Sequence, residues 1–399
     1  KMQAGIDLAE DTRSKVLAAP WEKDMRNSTR SEVDPFIVMD VMEAARKAED
    51  AGRHIIHMEV GQPGTGAPKG ATEALAKAMK ENALGYTVAL GLPALRARIA
   101  RMYGDWYNVD LNPDRVVITP GSSGAFLLGF TALFDSGDRV GIGAPGYPSY
   151  RQILHALGLV PVDLPTAPEN RLQPVASDFA GMDLAGLMVA SPANPTGTML
   201  DRAAMAALIE AAHGQNAAFI SDEIYHGIEY EAKAVTALEL TDEAYVINSF
   251  SKYFSMTGWR VGWMVVPEDH VRTVERLAQN MFICAPHAGQ ELALAAMECA
   301  PELDGNLAVY AANRQIVMEG FLHIRLPDLS GDRERERQPA RADLSDAGRH
   351  RRATRNVPHR RAASGALSGL SQLRDRVPLG SAVRAADRAR TRARGRTHA

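Results

Sequence analysis

"NSFSKYFSMTGWRVGW", residues 248–263, decides how this chain is read. The apolar run "AYVINSF" (244–250) ends at Ser251 and Lys252, and Arg260 follows eight places on. Lys252 is the last lysine of the chain. Most lysines are solvated surface charges. A lysine directly after an apolar strand, between a small hydroxyl residue and the aromatic pair Tyr253 and Phe254, has a second use: a desolvated amine is a nucleophile that can hold an aldehyde as a Schiff base and shuttle a proton.

Around this stretch the chain alternates helical patterns with short apolar runs. Helices are predicted over "DPFIVMDVMEAARKAEDAG" (34–52), "GATEALAKAMKENA" (70–83), "GLPALRARIARMYGDWY" (91–107), "SSGAFLLGFTALF" (122–134), "SYRQILHALG" (149–158) and "DRAAMAALIEAAHGQ" (201–215). Strands are predicted at "HIIHMEVGQP" (54–63), "RVVITPG" (115–121), "DRVGIGAPGYP" (138–148), "LVPVDLP" (159–165), "GLMVASPANPTG" (186–197), "AAFISDEIYHG" (217–227), "AYVINSFSK" (244–252) and "RVGWMVVP" (260–267), the last followed by a long helical stretch. Apolar strands flanked by helices predict an α/β fold with a mostly parallel sheet covered on both faces. In such sheets ligands gather at the carboxyl ends of the strands, and "PG", "PGYP", "SPANPTG", "SDEIY" and "SFSK" all follow apolar runs.

The 399 residues suffice for a large α/β domain and a smaller one, and the formal charge of −3 with 46% apolar residues fits a globular chain. The average hides an asymmetry: residues 326–399 carry 18 Arg against 8 Asp plus Glu and none of the chain's aromatic residues, so residues 1–325 are acidic. That Arg-rich tail reads either as a basic arm for nucleic acid or membrane surface, or as a G+C-rich gene translated out of frame, because the break is abrupt after "VYAANRQIVMEGF" (309–321). Cys284 and Cys299 have no metal or disulfide spacing, and no export signal or membrane-spanning run is seen, which predicts a cytoplasmic protein. "HIIHMEV" places His54 and His57 near Glu59, but in the pattern of a strand, and "GSSGA" lacks the Walker lysine.

Over about residues 28–325 the chain resembles the class I/II aminotransferases, pyridoxal-phosphate enzymes of fold type I. The resemblance rests on "VGQPGTGAP" (60–68), "GYTVALGLPALRARIA" (85–100), "TPGSSGAF" (119–126), "APGYPSY" (144–150), "SPANPTG" (191–197), "SDEIY" (221–225) and "SFSKYFSMTGWRVG" (249–262), in family order. It implies a three-layer fold type I transferase, with 1–60 as N-terminal arm and part of a small domain, 61–300 as the large cofactor-binding domain, 301–325 as a linking helix and 326–399 as the aberrant tail. It implies an amino-group transfer between an L-amino acid and a 2-oxo acid by a ping-pong mechanism.

The same resemblance distributes roles. Lys252 is expected to form the Schiff base and shuttle the proton, and Asp222 to pair with the protonated pyridine nitrogen; Glu223 is not expected in that role. Tyr225 and Asn194 are expected on the cofactor's phenolic oxygen. Ser122, Ser123 and Gly124 at a helix N-terminus, with Ser249, Ser251 and Arg260, are expected to hold the phosphate. Tyr147 is expected to stack on the ring, Gly61 to let backbone approach the substrate, and Tyr86 to reach a neighbouring subunit's phosphate, implying a homodimer. Each motif also has a plainer use: Asp222 and "TPGSSG" as helix caps, "NPTG" as a turn, Tyr86 as a core tyrosine. No strand carries the family's arginine for the substrate α-carboxylate. A carbon–sulfur β-lyase of the same fold, or a cofactor-binding protein without turnover, therefore remains beside the transaminase reading.

Overall fold

The computed structural model describes residues 26–323, all within one compact unit, Lys1–Ile324. The Arg-rich tail, and the choice between a basic arm and a frame error, lie outside the described residues. A first helix, α1 (Ile37–Asp50), leads into α2 (Lys69–Glu81) and α3 (Pro93–Tyr107). Strand β1 (Val116–Thr119) and helix α4 (Gly121–Leu133) follow, then β2 (Arg139–Ala144), α5 (Pro148–Leu157), β3 (Val160–Pro165), β4 (Gly186–Ala190), α6 (Arg202–His213), β5 (Ala218–Asp222), β6 (Tyr245–Ser249) and β7 (Gly262–Val265). Helices α7 (Val271–Met281), α8 (His287–Ala296) and α9 (Ala300–His323) close the described chain. None of the described helices is long and apolar enough to cross a membrane.

The strands form one seven-stranded sheet in the order β1-β7-β6-β5-β4-β2-β3. Successive strand residues face opposite sides, and the packing follows that alternation. Ile118, Leu187, Phe219, Val246 and Trp263 enter one core with Leu95 and Ile99 of α3, Leu208 of α6 and Leu292 of α8. Their neighbours Val117, Met188, Ile220, Ile247 and Met264 enter the other with Phe126 and Phe130 of α4, Leu154 of α5 and Val274 of α7. The fold is therefore the three-layer α/β arrangement that the apolar runs predict.

One expectation needs correction and two gain detail. "HIIHMEVGQP" forms no strand; His57 there bridges Glu49 and Glu59, with hydrogen bonds of 2.9 and 2.7 Å. The helical stretch after "RVGWMVVP" is three helices, because the chain turns between Met281 and His287, with Ile283 at φ +65°, and breaks again after Ala296. The sheet is mostly parallel, as expected, with one reversal: β7 runs antiparallel to both β6 and β1. The reversal matters for the site, since Gly262 pairs with Ser249 and with Thr119, which brings the start of β7 to the carboxyl ends of its neighbours.

Candidate functional site

Along that edge lies a cavity of about 420 Å³. Of the residues singled out in the sequence, Gly61, Ser122, Ser123, Tyr147 and Asn194 line it, as do Asp222, Tyr225, Ser251, Lys252 and Arg260. Pro35, Phe36, Ile37 and Val38, from the start of α1, complete the wall.

Lys252 follows β6 in a tight turn, and its Nζ donates to the carbonyl oxygen of Gly61 at 2.5 Å. It also stands 5.6 Å from the centroid of the Tyr225 ring. Burial lowers the amine's pKa; Asp222 opposes that shift and Arg260 adds to it. A lowered pKa leaves more of the amine unprotonated, which is the nucleophilic form.

Asp222 is the last residue of β5 and is 3% exposed. Its Oδ1 accepts the Ile224 N–H at 3.0 Å and its Oδ2 accepts the Tyr150 hydroxyl. Burial raises its pKa to about 6, against those two hydrogen bonds and the nearby Lys252, which pull it down. Such a carboxylate, buried and without an ion-pair partner among the described residues, has the chemistry to accept a cation. Glu223 faces away from the cavity: its Oε1 accepts from Ser221 Oγ at 3.0 Å and from the Ala237 N–H at 2.8 Å. Asn194 Nδ2 donates to the Tyr225 hydroxyl at 3.3 Å, and burial pushes the Tyr225 phenol up to about 12.

The other end of the cavity is built for an anion. No side chain caps α4, so the N–H groups of its first turn, at Gly121, Ser122, Ser123 and Gly124, have no capping partner. Gly121 has φ +71°, and a Cβ there would stand 2.5 Å from Arg260 Nη2, so glycine lets the guanidinium approach the helix start. Arg260 is held by a 2.9 Å bond from Nη1 to the Thr257 carbonyl. At Gly262 a Cβ would lie 2.8 Å from the Ser122 nitrogen, so β7 and the start of α4 also meet closely.

Three sequence candidates stand off the cavity. Ser249 is buried behind Ser251, their hydroxyls 2.8 Å apart, and it also donates to the Val261 carbonyl. Gly124 packs on Pro120, where a Cβ would sit 2.8 Å from Cδ. Tyr86 is 82% exposed and does not reach the cavity. Sequence reasoning missed Tyr150 and Phe36. Tyr150 sits three residues after Tyr147, close to one helical turn, and spacing alone could have flagged it as a same-face neighbour. Tyr147 meets Tyr150 edge-on at 5.3 Å and Phe36 at 5.7 Å.

A ring-bearing phosphate aldehyde matches this arrangement at three points: an amine of lowered pKa, a buried carboxylate without a cation, and an uncapped helix start beside an arginine. Comparison with known proteins agrees. The family described as Aminotransferase class I and II matches residues 53–330. A valine–pyruvate aminotransferase of Mycobacterium tuberculosis is 45% identical over 311 residues, covering 76% of this chain and 80% of that protein. Among solved structures, a putative aminotransferase from Silicibacter pomeroyi is 80% identical, with a TM-score of 0.70 over 74% of this chain and 77% of that one. An aspartate aminotransferase from Thermus thermophilus with maleate is 25% identical, with a TM-score of 0.71 over 75% of this chain and 81% of that one.

The chain belongs to the class I and II aminotransferases. It is a transaminase of fold type I whose cofactor is pyridoxal phosphate.

Proposed function

We propose that the transaminase site is the cavity just described, with Lys252 as the residue that attaches the cofactor and moves the proton. The observation that carries this reading is that Lys252 and Asp222 open onto one ring-sized cavity while the uncapped start of α4 and Arg260 close its far end. When bound, pyridoxal phosphate supplies an electron sink for the pair left at the substrate's Cα. Asp222 would pair with the ring nitrogen, and Asn194 and Tyr225 would bond the phenolic oxygen. Ser122, Ser123, Ser251 and Arg260 would hold the phosphate, with Ser249 and Gly124 supporting them from behind. The Lys252 amine, which opens onto the cavity, would be the base that moves the Cα proton.

The amino donor in this proposal is an L-amino acid with an apolar side chain, and the acceptor a 2-oxo acid. Phe36, Ile37, Val38 and Val60 give the cavity an apolar wall, and the Mycobacterium tuberculosis relative is named for valine and pyruvate. The β-lyase and non-catalytic readings have no such support. The site is also proposed to be completed by a second copy. Tyr86, Val88, Met281 and Ile283 are exposed apolar side chains on two segments tied together by the 2.6 Å contact of His287 Nδ1 with the Gly85 carbonyl oxygen. The compartment proposed with this reading is the cytoplasm, whose reducing conditions would keep Cys284 and Cys299 as thiols.

The test is spectroscopic. Purified protein with pyridoxal phosphate should develop a visible absorbance band that Lys252→Ala abolishes, and apolar L-amino acids should bleach it in single turnovers while releasing the 2-oxo acid. A band that persists in Lys252→Ala removes the assignment of Lys252.

A further inference from the structure

Behind the cavity, on the opposite side of the chain from Asp222 and Tyr225, lies a group of buried ionisable side chains that the transfer chemistry does not use. Glu223 is 0% and His226 2% exposed. His226 Nε2 contacts the Ser191 carbonyl oxygen at 2.9 Å, so that nitrogen carries a hydrogen. His226 Nδ1 lies 2.6 Å from the Tyr107 hydroxyl and 3.5 Å from Glu223 Oε2. Glu223 Oε2 has no hydrogen-bond partner among the described residues, although Oε1 has two.

Three of its members lie close in sequence to proposed site residues. Glu223 follows Asp222, His226 follows Tyr225, and Ser191 is three residues before Asn194. The cluster thus ties the ends of β4 and β5 to the last residue of α3, Tyr107, and to the turn at Ala237.

We propose that Glu223, His226 and Tyr107 are positioning residues, that the cluster they form keeps one buried proton on Glu223, and that this proton keeps Asp222, Tyr225 and Asn194 in register for the cofactor. The inference rests on the site assignment of those three residues. The proton inventory follows from the contacts. With hydrogen on His226 Nε2 and the Tyr107 hydroxyl donating to Nδ1, the imidazole is neutral, and the place for a further proton is Glu223 Oε2, which is buried and meets no donor among the described residues. Facing Glu223 are Asp222 from its own strand, His226 from the next turn, Tyr103 and Tyr107 from α3, and Thr236 with its capping Glu239; Glu229 acts on Tyr107 from the same side. No lysine or arginine pairs with Glu223 among the described residues, so an anion there has only His226 to answer it. Burial accordingly pushes Glu223 up to about 8 and His226 down to about 4. When that proton leaves, an unpaired buried anion remains, and the cluster relieves it by moving or admitting water. That movement carries Tyr225 and Asn194 with it.

The test has two arms. Infrared titration of the cofactor-free protein should show a protonated-carboxyl stretching band at neutral pH that persists in Asp222→Asn and disappears in mild alkali. Its absence at neutral pH overturns the proposal whether or not the cofactor binds. In the second arm, pyridoxal phosphate affinity is followed against pH. Wild type should lose affinity by about tenfold per unit beyond the transition, Glu223→Gln should lose this limb, and Tyr107→Phe should move it to higher pH by freeing His226 Nδ1 for the Glu223 proton. Identical alkaline limbs in wild type and both variants overturn the positioning role. Should Glu223→Gln not fold, the infrared band and the Tyr107→Phe shift decide the matter.

Discussion

Tyr150 and Asp222 are joined by a hydrogen bond between two buried side chains, the phenol donating to Oδ2 at the end of β5. The bond favours the ionised carboxylate, so it works against the burial that pushes Asp222 up to about 6. A hydrogen bond to a charged group contributes about 1.5–3 kcal/mol, equivalent to about 1–2 pKa units. Tyr150→Phe should therefore move the acid limb of kcat/KM upward by about 1–2 units, with activity near neutral pH recovering in mild alkali. An acid limb that stays put would mean that Tyr150 does not govern this charge.

Asp222→Asn should keep the fold, since the amide oxygen can still accept the Ile224 N–H. On the proposed reading it removes the partner of the ring nitrogen, and kcat should fall by about 100- to 1000-fold, the scale seen when one preorganised electrostatic contact is deleted. Circular dichroism would confirm the fold, and a kcat close to wild type would take Asp222 out of the site.

At Gly121 two constraints coincide, a φ of +71° and the guanidinium of Arg260 at 2.5 Å from where a Cβ would be. Gly121→Ala should cost about 1–2 kcal/mol from the left-handed backbone alone, and displacement of Arg260 should weaken phosphate binding. The measurement is the affinity ratio of pyridoxal phosphate to pyridoxal. A ratio that does not fall would show that the phosphate lies elsewhere.

Global stability should also carry the mark of the buried cluster. Glu223 titrates at about 8 in the fold against an ordinary 4.5, so between these values the unfolded chain has released a proton that the folded chain keeps. Stability from this group is complete below 4.5 and lost as pH rises through 8, at about 1.4 kcal/mol per unit. His226, lowered from 6.5 to about 4, acts in the other direction: its contribution is complete above 6.5 and lost as pH falls through 4. The two slopes offset between 4.5 and 6.5, and above 6.5 only the Glu223 slope remains. Denaturant unfolding of wild type should show stability falling from pH 6.5 to 8, and Glu223→Gln should flatten that fall.

What the sequence disclosed depended on how local the signal was. Strands such as "GLMVA", "AFISD" and "YVINS" were legible because they are buried on both faces and read as unbroken apolar runs. "HIIHMEV" also reads as a strand from its apolar residues, yet no strand among the described residues pairs with it and it forms none. Lys252, Asp222 and Arg260 were legible because each ends or flanks such a run. Tyr150, Phe36 and the Glu223–His226 group were not, because their importance lies in contacts across segments far apart in the chain. The reversal of β7 was equally hidden: "RVGWMVV" does not announce its direction, which the pairing with β1 and β6 fixes.

The strand order divides the proposed binding site between the margin and the middle of the sheet. Ser122 and Arg260 hang from β1 and β7, and β1 is the margin of the sheet, whereas Asp222 stands on β5, near its middle. Margins fray before centres. On the proposed site assignment, the phosphate end should slacken first in low denaturant, leaving a ligand hinged on its ring before the sheet gives way.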